Sequence, residues 1–185
     1  MNLILIGAST GGPGLLEKIV ASLSGPICAP LIIAQHMDRI SLHSFGKRLQ
    51  RLSGIETTLV EAPTPIQNGC IYLLSDTAAI HSCGCDLSIV PKRDSGFYHP
   101  TIDRLFESAA KLECVRVTAI LLSGIGADGA KGMLELKNMG HKTIAQDENS
   151  SIVYGMPKAA AEIGAASAIY AIEKIVTEIM ELTKC

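Results

Sequence analysis

Apolar residues fall into short unbroken runs, separated by stretches in which they recur every three or four positions. Residues 3–6 form the first run; a glycine-rich turn follows, and then Leu15, Leu16, Ile19, Val20 and Leu23 repeat at helical spacing. That order predicts a strand, a tight turn and an amphipathic helix. Residues 31–34 (Leu-Ile-Ile-Ala) read as a second buried strand, and the spacing predicts a helix over about residues 42–52. A βαβα opening implies a parallel sheet.

The pattern changes from about residue 57 to residue 91. Short β-prone pieces (Thr58-Leu59-Val60, Cys70-Ile71-Tyr72-Leu73-Leu74 and Leu87-Ser88-Ile89-Val90) are set apart by Pro, Asn-Gly and Cys-Gly-Cys-Asp turns. This reads as an antiparallel insertion or sheet edge. After Pro100 a helical stripe runs through Ile102, Leu105, Phe106 and Ala109, and residues 115–122 form the most strand-like run of the chain, expected to be central. A second glycine-rich loop, a helix to about Met139, a strand near residues 143–146 and a helix over about residues 172–182 complete the pattern. The fold class expected is α/β: an open, doubly wound, mostly parallel sheet with helices on both faces and an antiparallel hairpin insertion or edge. No repeat, low-complexity tract or linker divides it, so residues 1–185 read as one domain.

Composition narrows the function classes. With 185 residues, 48% apolar and 18% charged, the chain fills one core. A net charge of -2 gives no basic footprint for nucleic acid or an anionic membrane. The N-terminus reads as a strand rather than a signal peptide, and no stretch reaches the roughly 20 apolar residues of a membrane span. Cytoplasmic localisation without membrane insertion is expected, and the six scattered cysteines read as reduced thiols. His81, Cys83 and Cys85 alternate at strand spacing and could present metal ligands on one face, but Gly84 between the cysteines suits a hairpin turn better.

In an open parallel sheet, ligands bind beyond the carboxyl ends of the strands. Ser9 follows the first strand, His36 the second and Asp128 the central one, so the three residue types of a hydrolytic triad lie at one sheet edge. Small residues around Ser9 let its hydroxyl project from the turn, and the following helix N-terminus offers backbone N–H groups to an oxyanion. Each residue also has a plainer reading. Ser9 or Thr10 could cap the first helix, His36 could be satisfied by backbone, and Asp128 could cap the helix that it immediately precedes. Asp103 and Asp76 are rivals for the third position, although neither follows a predicted central strand. A phosphate-binding loop is disfavoured, because neither Gly-x-Gly-x-x-Gly nor Gly-Lys-Ser/Thr is present.

The segments Ile6-Gly7-Ala8-Ser9-Thr10-Gly11-Gly12-Pro13, Ala34-Gln35-His36-Met37, Leu122-Ser123-Gly124-Ile125-Gly126-Ala127-Asp128-Gly129-Ala130-Lys131-Gly132-Met133, Thr143-Ile144-Ala145-Gln146-Asp147 and Val153-Tyr154-Gly155-Met156-Pro157 occur in one order across nearly the whole chain. In this the sequence resembles the catalytic domain of the chemotaxis protein-glutamate methylesterases (CheB), some of which also deamidate glutamine. The resemblance implies that Ser9, His36 and Asp128 are the catalytic residues and that the backbone N–H groups of Thr10 and Ile125 form the oxyanion hole. Ile125 stands where many members carry methionine. No metal or organic cofactor is implied, and the partners implied are the cytoplasmic domains of methyl-accepting chemoreceptors.

Two features depart from the family pattern. The segment Gly96-Phe97-Tyr98-His99-Pro100-Thr101 lacks the arginines many members carry there. Only eight residues precede Ser9, so the N-terminal receiver domain of many relatives is expected to be lacking and activity to be constitutive. Competing readings are a non-catalytic module that binds a receptor or phosphoprotein on the same fold, and an acyl hydrolase with another substrate.

Overall fold

The computed structural model describes residues 1–23, 25–84, 86–92 and 99–185. It opens with β1 (Asn2–Ala8), α1 (Gly12–Ser22), β2 (Leu31–Gln35) and α2 (Arg39–Ser53). The chain continues through β3 (Glu56–Val60), β4 (Thr64–Pro65), β5 (Cys70–Leu74), β6 (Ala78–Cys83), β7 (Asp86–Pro91) and α3 (Ile102–Ala109). The last elements are β8 (Arg116–Leu121), α4 (Ala130–Asn138), β9 (Lys142–Gln146), α5 (Met156–Glu162), β10 (Ala168–Tyr170) and α6 (Ile172–Thr183). The helix after β2 begins ahead of the apolar stripe that predicts it, because Asp38 caps it by accepting the Ser41 amide at 3.0 Å.

Seven strands form one parallel sheet in the order β10-β9-β8-β1-β2-β5-β3, while β4, β7 and β6 make a small antiparallel sheet. β1 lies between β2 and β8, with Ile6 beside Ile33 on one side and beside Ile120 on the other. The chain winds outward from β1 first through β2, then returns to its other flank with β8. The carboxyl end of β1 is therefore the switch point of the sheet, where the crevice of such folds opens.

Side-chain alternation places the core on both faces. Leu3 and Leu5 of β1 join Phe106, Met133 and Met156 on one side; Ile4 and Ile6 join Leu16, Ile19, Leu49 and Ile175 on the other. Thus α3, α4 and α5 cover one face and α1, α2 and α6 its opposite. Ala78, Ile80, Leu87 and Ile89 of the small sheet pack with the α3 face.

The middle of the chain differs from the expected antiparallel insertion in one respect. β3 and β5 pair in parallel within the main sheet, and only β4, β6 and β7 are antiparallel. β5 is buried along its whole length, the pattern of a strand covered on both faces, and its short turns hid that signal. The predicted hairpin does form: Cys83 pairs with Asp86, and Gly84 takes φ 63° between them. Cys85, the third member of the candidate His-Cys-Cys cluster, lies outside the described residues, as do Gly96, Phe97 and Tyr98.

The expectation of six reduced thiols is overturned. Cys28 and Cys185 form a disulfide although they are 157 residues apart. The Cys28 amide donates to the carbonyl of Thr183 at 2.9 Å, so docking of α6 brings the two cysteines together. Nothing in their linear spacing could signal that contact.

Candidate active site

Ser9 is the first residue beyond β1, and its main chain is fixed at both ends. Its N–H donates to the Ser123 carbonyl at 3.0 Å, and its own carbonyl accepts the Gly12 N–H at 2.8 Å. The N-cap of α1 is Gly11 in the left-handed region, at φ 82°, with no side-chain cap. The turn is closed by backbone and glycine, so the capping explanation for Ser9 and Thr10 is removed.

His36 emerges from the end of β2, the strand beside β1, and its amide donates to the carbonyl of Ala8 at 2.9 Å. Its Nε2 lies 2.8 Å from Asp128 Oδ2, with side-chain exposures of 11% for the imidazole and 2% for the carboxylate. The pair bridges the loops that follow β2 and β8, on either side of β1. A shielded carboxylate held to an imidazole nitrogen fixes both tautomer and ring orientation.

Asp128 does cap a helix, but not the one it precedes. Its Oδ2 accepts the Ile102 N–H at 2.8 Å and its Oδ1 the Asp103 N–H at 2.9 Å, which caps α3. The N-cap of α4 is Gly129, at φ 91°. The rival carboxylates are engaged elsewhere. Asp103 accepts the Gly132 N–H at 2.8 Å, at the start of α4, and Asp76 accepts the Thr77 N–H at 2.7 Å. Burial pushes the Asp103 carboxyl above its ordinary range and the nearby Asp128 charge adds to this, while the Gly132 hydrogen bond opposes it.

The loop after β8 forms the remaining wall. Ser123, fully buried, donates its hydroxyl to the Thr10 carbonyl at 2.8 Å and accepts the Val153 N–H at 2.8 Å. Its own amide donates to Gln146 Oε1 at 2.8 Å. Gly124 passes so close that an added Cβ would lie 2.6 Å from Ser9 Cβ and 2.4 Å from Met156 Sδ. Thr10 adjoins Ser9 along the chain, and Ile125 adjoins it through Gly124. Among the described residues, neither the Thr10 nor the Ile125 amide donates to another protein group. Ile125 and Ile152 are 60% and 70% exposed beside this turn, and Ile152 lies against Gly11.

The structure thus brings His36 and Asp128 into direct contact and sets Ser9, Thr10 and Ile125 at the same sheet edge. Sequence reasoning gave no role to Gln35, Ser123 or Gln146, whose side chains hold these loops. Their signal was a polar residue at the end of a buried strand: Gln35 closes β2 and Gln146 closes β9, and both are almost fully buried.

An open doubly wound sheet with a serine at its switch point, and a carboxylate-bound histidine just past the neighbouring strand, defines an α/β protein whose crevice lies at the carboxyl ends of its strands. Within that class the comparisons are specific. Residues 4–179 match the CheB methylesterase family, and the chain belongs to that family. A protein-glutamate methylesterase/protein-glutamine glutaminase of Pseudomonas fluorescens is 37% identical over 182 residues, covering 98% of this chain and 54% of that protein. One from Rhodospirillum rubrum is 35% identical over 180 residues, covering 95% and 49%. The chain therefore spans about half the length of these curated relatives. The crystal structure of the Thermotoga maritima CheB methylesterase catalytic domain aligns with a TM-score of 0.90 at 29% identity, covering 98% of each chain.

Proposed function

We propose that this chain is a catalytic domain that hydrolyses glutamate methyl esters on the cytoplasmic domains of bacterial chemoreceptors, with Ser9 as nucleophile. The observation that carries the reading is the 2.8 Å contact between His36 and Asp128 beside the strand end bearing Ser9. With Nε2–H donated to Asp128, Nδ1 of His36 takes the Ser9 proton as the hydroxyl oxygen attacks the ester carbonyl. The carbonyl oxygen, now anionic, is held by the N–H groups of Thr10 and Ile125. Collapse of the tetrahedral intermediate breaks the bond to methoxide, and His36 returns the proton so that methanol departs. Water then attacks the acyl-enzyme by the same route, releasing the glutamate carboxylate and free Ser9. Every proton is carried by side chains and water.

The same attack on a side-chain amide would release ammonia and leave glutamate. The combined methylesterase and glutaminase names of the relatives support receptor glutamine deamidation as a second activity of this site. Location in the cytoplasm follows from the proposed substrate. Among the described residues no helix is long and apolar enough to cross a membrane.

The test is methanol release from methylated receptor signalling domains. Ser9→Ala and His36→Ala are each expected to lower kcat by about a thousandfold or more while circular dichroism stays unchanged. Near-normal turnover by folded Ser9→Ala would remove the serine mechanism.

A further inference from the structure

We propose that Gln35 is a positioning residue, whose side-chain amide fixes Ser9 relative to His36. The inference builds on the reading of Ser9 and His36 as the reacting pair. Gln35 closes β2 and is 1% exposed. Its Nε2 lies 3.0 Å from the carbonyl oxygen of Ser9 and 3.0 Å from that of His36. Two carbonyls can only accept, so the NH2 group and not Oε1 must face them. One amide thus spends both donors on the main chains of the two residues whose separation matters most.

The other end of the same amide is left without compensation. Oε1 is buried and, among the described residues, has no hydrogen-bond partner. It points at Gly12, where an added Cβ would lie 2.3 Å away, while the Gly12 N–H is already donated to the Ser9 carbonyl. An amide oxygen enclosed without a donor is unfavourable, and methionine or leucine would fill this strand end without that cost. Packing therefore does not account for a glutamine here, whereas its NH2 group does something no apolar residue can.

That group completes a frame around Ser9. The Ser9 amide is held by Ser123, its carbonyl by Gly12 and Gln35, and the His36 amide by Ala8 and its carbonyl by Gln35. With both main chains pinned, the hydroxyl and imidazole can differ in separation only through side-chain torsions. Attack geometry is sensitive to misplacement on the ångström scale, so releasing this staple should affect the chemical step more than binding.

The experiment compares the wild-type chain with Gln35→Met and Gln35→Glu. It reads kcat and KM for methanol release, the rate of Ser9 labelling by a fluorophosphonate followed by intact mass, and the melting temperature. Gln35→Met is expected to lower kcat about ten- to hundredfold with KM within about twofold, and to slow labelling in proportion. Its melting temperature should stay close to that of the wild type, because the orphaned oxygen is gone while the His36 carbonyl loses its donor. Gln35→Glu places a carboxylate against two carbonyls, so its activity relative to wild type should rise as pH falls from 8 to 6 and the carboxyl regains a proton. Wild-type kcat and labelling in either folded variant would overturn the proposal. So would a loss that follows a fall in melting temperature in both variants, with no change in the pH ratio. Labelling does not depend on which ester is the substrate: a wild-type chain labelled at Ser9 that releases no methanol overturns the receptor reading, and its variants still decide the role of Gln35.

Discussion

Asp128 carries three hydrogen bonds on two oxygens: His36 and Ile102 on Oδ2, Asp103 on Oδ1. An asparagine offers a single acceptor oxygen, so its NH2 group must confront at least one donor whichever way it turns. Asp128→Asn is expected to lower kcat by a factor about ten- to a hundredfold smaller than Ser9→Ala does, because it disturbs the imidazole and spares the nucleophile. It should also lower stability by roughly 1–3 kcal/mol through the unmatched buried donor. Steady-state kinetics and a denaturant melt read the two effects, and wild-type stability would contradict the cap on α3. At Gly124 the limit is steric. Gly124→Ala drives a methyl group toward Ser9 Cβ and Met156 Sδ, so kcat should fall by at least about tenfold, as measured by methanol release.

α3 and α4 are tied crosswise at their N-termini. Asp128, just before α4, accepts the amides of Ile102 and Asp103 in α3, while Asp103 accepts that of Gly132 in α4. Each carboxylate meets the positive end of the neighbouring helix. Burial nevertheless keeps the Asp103 carboxyl above its ordinary 3.8, which sets a sign for stability. A folded-state pKa above the unfolded one means that the native state binds the proton more tightly. The contribution of Asp103 is therefore fully present below 3.8 and is lost as pH rises through the elevated value. Asp103→Asn retains an acceptor for Gly132 and cannot ionise. Its stability relative to wild type should rise with pH across the mildly acidic range and then level off, as read by denaturant melts from pH 3 to 7. A constant difference would show that Asp103 ionisation is not linked to folding.

The molecule has an edge that carries Ser9 and a fastened edge. Ser9, His36 and Asp128 follow the carboxyl ends of β1, β2 and β8, whereas Cys28 precedes β2 and ties the segment ahead of it to the end of α6. A cross-link between residues 157 apart restricts the unfolded chain strongly, and bridges of this kind contribute roughly 2–4 kcal/mol. Reduction, or Cys185→Ser, is expected to lower the melting temperature by roughly 5–15 °C in a chain of this size. Because both cysteines are exposed and lie at the opposite end of β2 from His36, kcat at moderate temperature should stay within about twofold. Scanning calorimetry and methanol release with and without dithiothreitol check the pair. The contrast between the edges also separates two kinds of information. Hydrophobic periodicity determined by itself the order of the longer strands and helices, though not the short β4, α5 and β10, and with it the placement of Ser9, His36 and Asp128 just past buried strands, because burial of a strand or a helical stripe is written locally. Periodicity does not encode which strands become neighbours. Only the tertiary structure decided that β3 and β5 join the parallel sheet, that Asp128 reaches His36 and caps α3 rather than α4, that Cys28 meets Cys185, and that Gln35 faces two carbonyls. Each of these depends on bringing together distant segments whose pairing is set by the packing of whole layers.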